Sequence, residues 1–193
     1  MNQLRNITQD GLPLHRRFTV DEFEQMGAAG IIGPDERVEL IDGEICIMSP
    51  AGRFHEVLRA YLAHHWTKRA PDQVLVMPEM QLRLSDHHQP VIDIGVVPFA
   101  ILPPDARGPD MLLVVEIADT SLKLDTTIKA AAYAIGGVRE YWVINARTRS
   151  TLIHRNPGPD GYTTKFEIPA TEPITPLLIP ELTIRLSDLP AAE

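Results

Sequence analysis

The chain has 193 residues, 44% of them hydrophobic and 23% charged, the make-up of a globular protein able to bury a sizeable core in one domain. No apolar run approaches the roughly 18 residues needed to cross a membrane, the first residues lack a signal-peptide core, and the single cysteine, Cys46, excludes an internal disulfide or thiolate cluster, so a cytoplasmic location is expected. The formal net charge of −8 weighs against tight nonspecific binding to DNA, but leaves room for a local basic groove or a bound cation.

In chain order, residues 18–26 (FTVDEFEQM) predict a short helix capped by Thr19 or Asp21. Residues 37–50 predict a hairpin, with strands Val38–Ile41 and Glu44–Met48 on either side of an Asp42-Gly43 turn. Residues 53–70 predict a helix whose apolar face is Phe54, Val57, Leu58, Tyr61, Leu62 and Trp66. Residues 73–85 read as a strand in which Pro78 marks an edge or a bulge. Two further strands follow, 90–98 bounded by prolines and the buried 111–118. Leu124, Ile128, Ala131, Ala132 and Ile135 form a helical stripe that ends at Gly136-Gly137. Residues 139–146, 150–156 and 161–168 read as strands, and the Pro-rich 169–193 as short irregular segments. The pattern predicts an α+β fold, with helices covering a mixed β-sheet, an N-terminal hairpin and a C-terminal β-meander. The expected organisation is an N-terminal extension (1–17), one domain (18–168) and a C-terminal segment (169–193) packed on it.

Two acids stand out. Asp93 sits among Val91, Ile92, Ile94, Val96 and Val97, and Glu116 follows the apolar run Met111–Val115. An ionised carboxylate in such surroundings is costly unless paired or bound to a metal. If neighbouring strands bring both acids to one face, they suit Mg²⁺, which takes one or two protein carboxylates plus water and phosphate oxygens. Lys129 on the next helix could aim an ammonium at the same place, completing the parts of a phosphodiester hydrolase. Simpler readings stand beside this one. Asp93 could bond a turn at a strand edge, and Glu116 could salt-bridge Lys129 or Lys123. Asp125 and Lys129, spaced i,i+4 in the favourable order, could be an exposed helix pair, or Asp125 the helix N-cap. Glu39 alternates with apolar neighbours on its strand as an outward-facing acid would. The adjacent pairs His64-His65 and His87-His88 diverge on either element and make poor metal clamps, while Tyr141 and Trp142 read as core.

Taken together, RVELIDGEICIMSPAGRFH (37–55), VIDIGVV (91–97) and LLVVEIADTSLKLDTTIKAAAYAIGGVREYWVIN (112–145) resemble the Uma2 family of restriction-endonuclease-like proteins, in the PD-(D/E)XK nuclease superfamily. The resemblance spans about residues 18–160. It implies a nuclease-like core in which Asp93 is the acid of the "PD" element and Glu116 the acid of the "(D/E)XK" element. The superfamily's lysine position is Ala118 here, and the resemblance moves that role to Lys129. Glu39, His55, Asp125 and Tyr133 fall on motif positions, where they are expected to support the site. Ile92, Asn145 and Thr126 depart from the family pattern, and Thr126 stands where a basic residue is common. The implied function is Mg²⁺- or Mn²⁺-dependent endonucleolytic hydrolysis of DNA by metal-activated water. The alternative is a noncatalytic nucleic-acid-binding or regulatory module that retains the fold. A homodimer through a strand edge is compatible with either, and no membrane partner is implied.

Overall fold

The computed structural model describes residues 15–192; residues 1–14 of the expected N-terminal extension lie outside the described residues. Helix α1 (Val20–Ala28) starts at Thr19, whose hydroxyl accepts the Glu22 N–H while Glu22 returns a bond to the Thr19 N–H. This reciprocal capping box satisfies two N–H groups that have no partner inside the helix. Strands β1 (Val38–Ile41) and β2 (Glu44–Ile47) form the expected hairpin. Asp42 and Gly43 both adopt positive φ (53° and 76°), as the tight turn of a twisted hairpin requires. Leu40 and Gln89 exchange backbone hydrogen bonds of 3.2 and 2.8 Å, which dock the hairpin beside the segment entering the main sheet.

That sheet has six strands in the order β3 (Val74–Gln81), β4 (Val91–Pro98), β5 (Leu113–Ala118), β6 (Glu140–Asn145), β7 (Thr151–Gly158) and β8 (Gly161–Ile168). All neighbours are antiparallel except β5 and β6, which are parallel. Pro78 lies in the edge strand β3, where a missing N–H costs no ladder bond on the open side. Helix α2 (Arg53–Thr67) packs Leu58, Leu62 and Trp66 onto one face, against Ile94, Val115, Ile117 and Trp142. The C-terminal segment closes the same face with Ile174, Ile179, Leu182, Ile184, Leu186 and Leu189. It carries only two-residue strands, β9 (Pro173–Ile174) and β10 (Ile184–Arg185), between 3₁₀ turns. Tyr61, expected on the apolar face of α2, is instead 44% exposed.

The other face is covered by a composite helix: α3 (Leu122–Leu124), a π-helical turn Asp125–Lys129, and α4 (Ala130–Ile135). Here the expected stripe fails. Ile128 and Ile135 are 52% and 68% exposed, while Asp125, Lys129, Ala130 and Tyr133 are buried. A π turn bonds i to i+5 and so carries one more residue than an α turn, about 100° of rotation. A stripe read at constant α-helical period therefore loses its phase at residue 125. The predicted C-terminus does hold. Gly137 takes φ +81°, its N–H reaches the Ala134 carbonyl at 3.0 Å, and the Val138 N–H reaches the Tyr133 carbonyl at 3.0 Å. That bond pair is a Schellman motif, and it pins the last turn of α4 below Tyr133. No helix among the described residues is long and apolar enough to cross a membrane.

Candidate active site

Strands β4 and β5 pair through Ile94 and Val115, and the ladder stops there. One more step would set Asp93 opposite Glu116. Instead, side chains take over the backbone groups. The Ile117 N–H donates to Asp93 Oδ2 at 2.7 Å, and the Asp93 N–H points at Glu116 Oε2 at 3.3 Å. The two acids thus meet where the sheet frays, at the floor of a cleft of about 160 Å³. Alternation along β5 turns Glu116 to the same side as Val114 and Ala118, toward the composite helix.

Three elements converge on these acids. From the composite helix, Lys129 Nζ lies 3.2 Å from Glu116 Oε1, and Tyr133 donates its hydroxyl to the same oxygen at 2.7 Å. From the hairpin, Glu39 Oε2 meets Lys129 Nζ at 3.0 Å and accepts the Val91 N–H at 3.2 Å. Docking of Leu40 on Gln89 puts Glu39 there, so it is buried rather than outward-facing. From α2, the His55 ring bonds Asp93 Oδ1 at 2.9 Å through Nε2. Asp125 Oδ1 stands 4.0 Å from Lys129, and its other oxygen accepts the Ser121 hydroxyl. Asp125 is no N-cap: the helix begins three residues earlier and carries this carboxylate inward, 2% exposed. Asp93, Glu116, Lys129, Glu39, His55, Asp125 and Tyr133 therefore all belong to one cluster.

The electrostatics are unbalanced. Glu39, Asp93, Glu116 and Asp125 face one lysine, with His55 at the rim. Burial drives Glu116 well above the ordinary carboxyl range; Lys129 opposes this, and the Asp93 and Asp125 charges add to it. Burial likewise lifts Asp125 to about 6, against Lys129 and the Ser121 bond. Burial would raise Asp93 too, but the His55 ring and the Ile117 N–H hold it below its usual value. Burial disfavours the Lys129 ammonium, yet Glu116, Glu39 and Asp125 outweigh it and the group stays charged. The Tyr133 hydroxyl, raised by burial and then by Glu116, remains a donor.

This surplus of buried negative charge fits a divalent cation. Asp93 and Glu116 each retain lone pairs beyond those already bonded, and Mg²⁺ asks for only one or two protein carboxylates. Among the described residues no three His, Cys, Asp or Glu side chains form a preassembled metal cage. Residues at the rim escaped the sequence reading. Asp119 and Ser121 line the cleft, and Arg147 bonds Asp119; isolated polar residues in turns leave no periodic signal.

Among solved structures, a crystal structure described as "a putative nuclease belonging to DUF820", from Anabaena variabilis, superposes with a TM-score of 0.69 at 16% identity, covering 89% of this chain and 96% of that one. At that identity the likeness shows the fold. No curated protein matches the chain. The model of the Uma2 family, described as "Putative restriction endonuclease", matches residues 20–187, and with that span the chain belongs to the Uma2 family.

Proposed function

We propose that the protein is a Mg²⁺- or Mn²⁺-dependent endonuclease that hydrolyses phosphodiester bonds of DNA. The observation that carries this reading is the meeting of Asp93 and Glu116 at the frayed β4–β5 ends, with the Lys129 ammonium 3.2 Å from Glu116. Family membership supports nuclease chemistry. The single cysteine and the lack of a long apolar helix among the described residues support a cytoplasmic setting.

Asp93 and Glu116 would hold the metal ion. When bound, the ion neutralises phosphate charge and acidifies a water molecule. His55 and the Ile117 N–H fix the Asp93 carboxylate from two sides, and Tyr133 fixes Glu116. Lys129 is held protonated by its carboxylate partners. It supplies a donor and a positive charge, orienting the attacking water or stabilising charge on the phosphate. Glu39 and Asp125 keep the lysine charged and aimed.

The test is cleavage of supercoiled plasmid in Mg²⁺, Mn²⁺ and EDTA. Wild type should cleave only with metal. Asp93→Ala and Glu116→Ala should fall to background, and Lys129→Met should lose about 10²–10³ in rate, the usual cost of one transition-state donor. Full cleavage by all three folded variants would overturn the assignment. Binding of DNA by wild type without cleavage in either metal would favour the noncatalytic module.

A further inference from the structure

Arg147 is bonded to Asp119, which lines the cleft, and takes no part in the cluster of acids around Lys129. It sits in the turn between β6 and β7, two residues after Asn145. Because β5 and β6 run parallel, with Ala118 opposite Asn145, both strands leave the sheet at the end that carries Glu116. The turn is tightly held. Asn145 Oδ1 accepts the Arg147 and Thr148 N–H groups, each at 3.0 Å, and the Asn145 carbonyl accepts the Arg149 N–H at 2.8 Å.

The side chain is clamped as well. Arg147 Nε donates to Asp119 Oδ1 at 2.8 Å, and the guanidinium lies over the Phe54 ring, 4.7 Å from its centroid. Asp119 lines the cleft and presses against the start of α2, where a Cβ added at Gly52 would stand 2.5 Å from Asp119 Oδ2. Despite two anchors, the Arg147 side chain is 62% exposed. In Arg37, Arg59, Arg83 and Arg155, terminal amino groups meet carboxylates. In Arg147 the acid takes Nε, and the two terminal amino groups reach no acceptor among the described residues. A guanidinium with its stem immobilised and its fork free suits bidentate binding of a phosphate, because the ordering cost is met before the ligand arrives.

We propose that Arg147 is a seat for a backbone phosphate of the nucleic-acid strand entering the cleft, flanking the phosphate to be cut. The proposal rests on the nuclease reading above. It also answers a difficulty in that reading: a chain of net charge −8, with five acids lining its cleft, repels a phosphodiester unless a directed donor stands at the entrance. Asp119 offsets part of the arginine's charge, so aimed N–H groups matter as much as net charge.

The test is fluorescence anisotropy of labelled duplex DNA and of single-stranded RNA across a salt series, in Ca²⁺, a hard dication that takes oxygen ligands. Arg147→Ala should weaken binding roughly ten- to hundredfold, the range for a charged hydrogen bond. It should also lower the slope of log K against log salt by about 0.9 on duplex DNA or about 0.7 on single strands. Arg147→Gln, which can still donate to Asp119, should lose the same slope. Lys165→Ala, an exposed charge removed on the far edge strand β8, should change neither quantity. Wild-type binding with an unchanged slope in both Arg147 variants would overturn the seat and leave the nuclease reading standing. Absence of wild-type binding to either nucleic acid would overturn both.

Discussion

Glu116 carries the conflict at the centre of the site. It is 3% exposed and accepts from Lys129 and Tyr133, yet burial and the Asp93 and Asp125 charges still favour its protonated form. Without metal, its ionised state opposes folding at neutral pH. Glu116→Gln removes the charge while leaving an oxygen for Tyr133, and Lys129 keeps Glu39 at 3.0 Å. The amide nitrogen would face the Asp93 N–H across the present 3.3 Å contact, a small loss beside the cost of a buried charge. Glu116→Gln is therefore expected to melt at or above the wild-type temperature in EDTA. With metal at a hundredfold excess over Kd the order should reverse, since wild type then gains about 2.7 kcal/mol and the variant much less. A Glu116 that served only to pair Lys129 would give the opposite result: the variant would melt well below wild type in EDTA, and metal would move neither curve.

At the scale of elements, the site depends on where the composite helix stops and how it is phased. Its end is set by Gly137 at φ +81°, a conformation a Cβ disfavours, with Pro109 Cγ 3.1 Å from the position that Cβ would take. Gly137→Ala should cost about 1–2 kcal/mol, the left-handed penalty, in chemical denaturation monitored by tryptophan fluorescence. A change below about 0.3 kcal/mol would mean the Schellman bonds to Tyr133 and Ala134 contribute little. This terminus was legible in the sequence, as were the Asp42-Gly43 turn and a first helix capped at Thr19 or Asp21, of which the fold uses Thr19, because each rests on local chemistry. The acids Asp93 and Glu116 were legible because charge inside an apolar run is anomalous wherever the strand lies. Helical periodicity alone did not turn Asp125 and Lys129 inward, although the family resemblance set both at the site, since a π turn changes the period without a compositional mark. Alternation along β1 turned Glu39 outward although the family resemblance set it at the site, because its burial depends on the Leu40–Gln89 contact between segments distant in sequence.

At the scale of the whole molecule, the two faces of the sheet are covered differently, and the difference shows in pH dependence. The α2 face packs Trp66 and Trp142 in edge-to-face contact at 5.9 Å, and its buried acid, Glu140, is paired with Arg155 and accepts the Trp142 indole N–H. The opposite face contains His154 on β7, 0% exposed, its ring 5.2 Å from that of Tyr141 and 5.4 Å from that of Tyr162. Neither imidazole nitrogen has a hydrogen-bond partner among the described residues. Burial, with a smaller push from the Lys165 charge, lowers its pKa to about 4 from an ordinary 6.5. Between those values the unfolded chain binds the proton and the folded one does not, so stability falls as pH drops from about 6.5 to about 4 and shows no further loss from this group below that. A shift of this size corresponds to roughly 3 kcal/mol. His154→Phe keeps a ring between the two tyrosines and has no proton to gain. Its stability at pH 7.5 should lie within about 1 kcal/mol of wild type, the tolerance of a volume-conserving core swap. At pH 4 it should exceed wild type by about 2–3 kcal/mol, because the carboxylates of the other face and of the site titrate alike in both proteins and cancel in the difference. Urea melts of the pair at both pH values measure this directly, and a pH-independent difference would show that His154 finds a proton acceptor in the folded core.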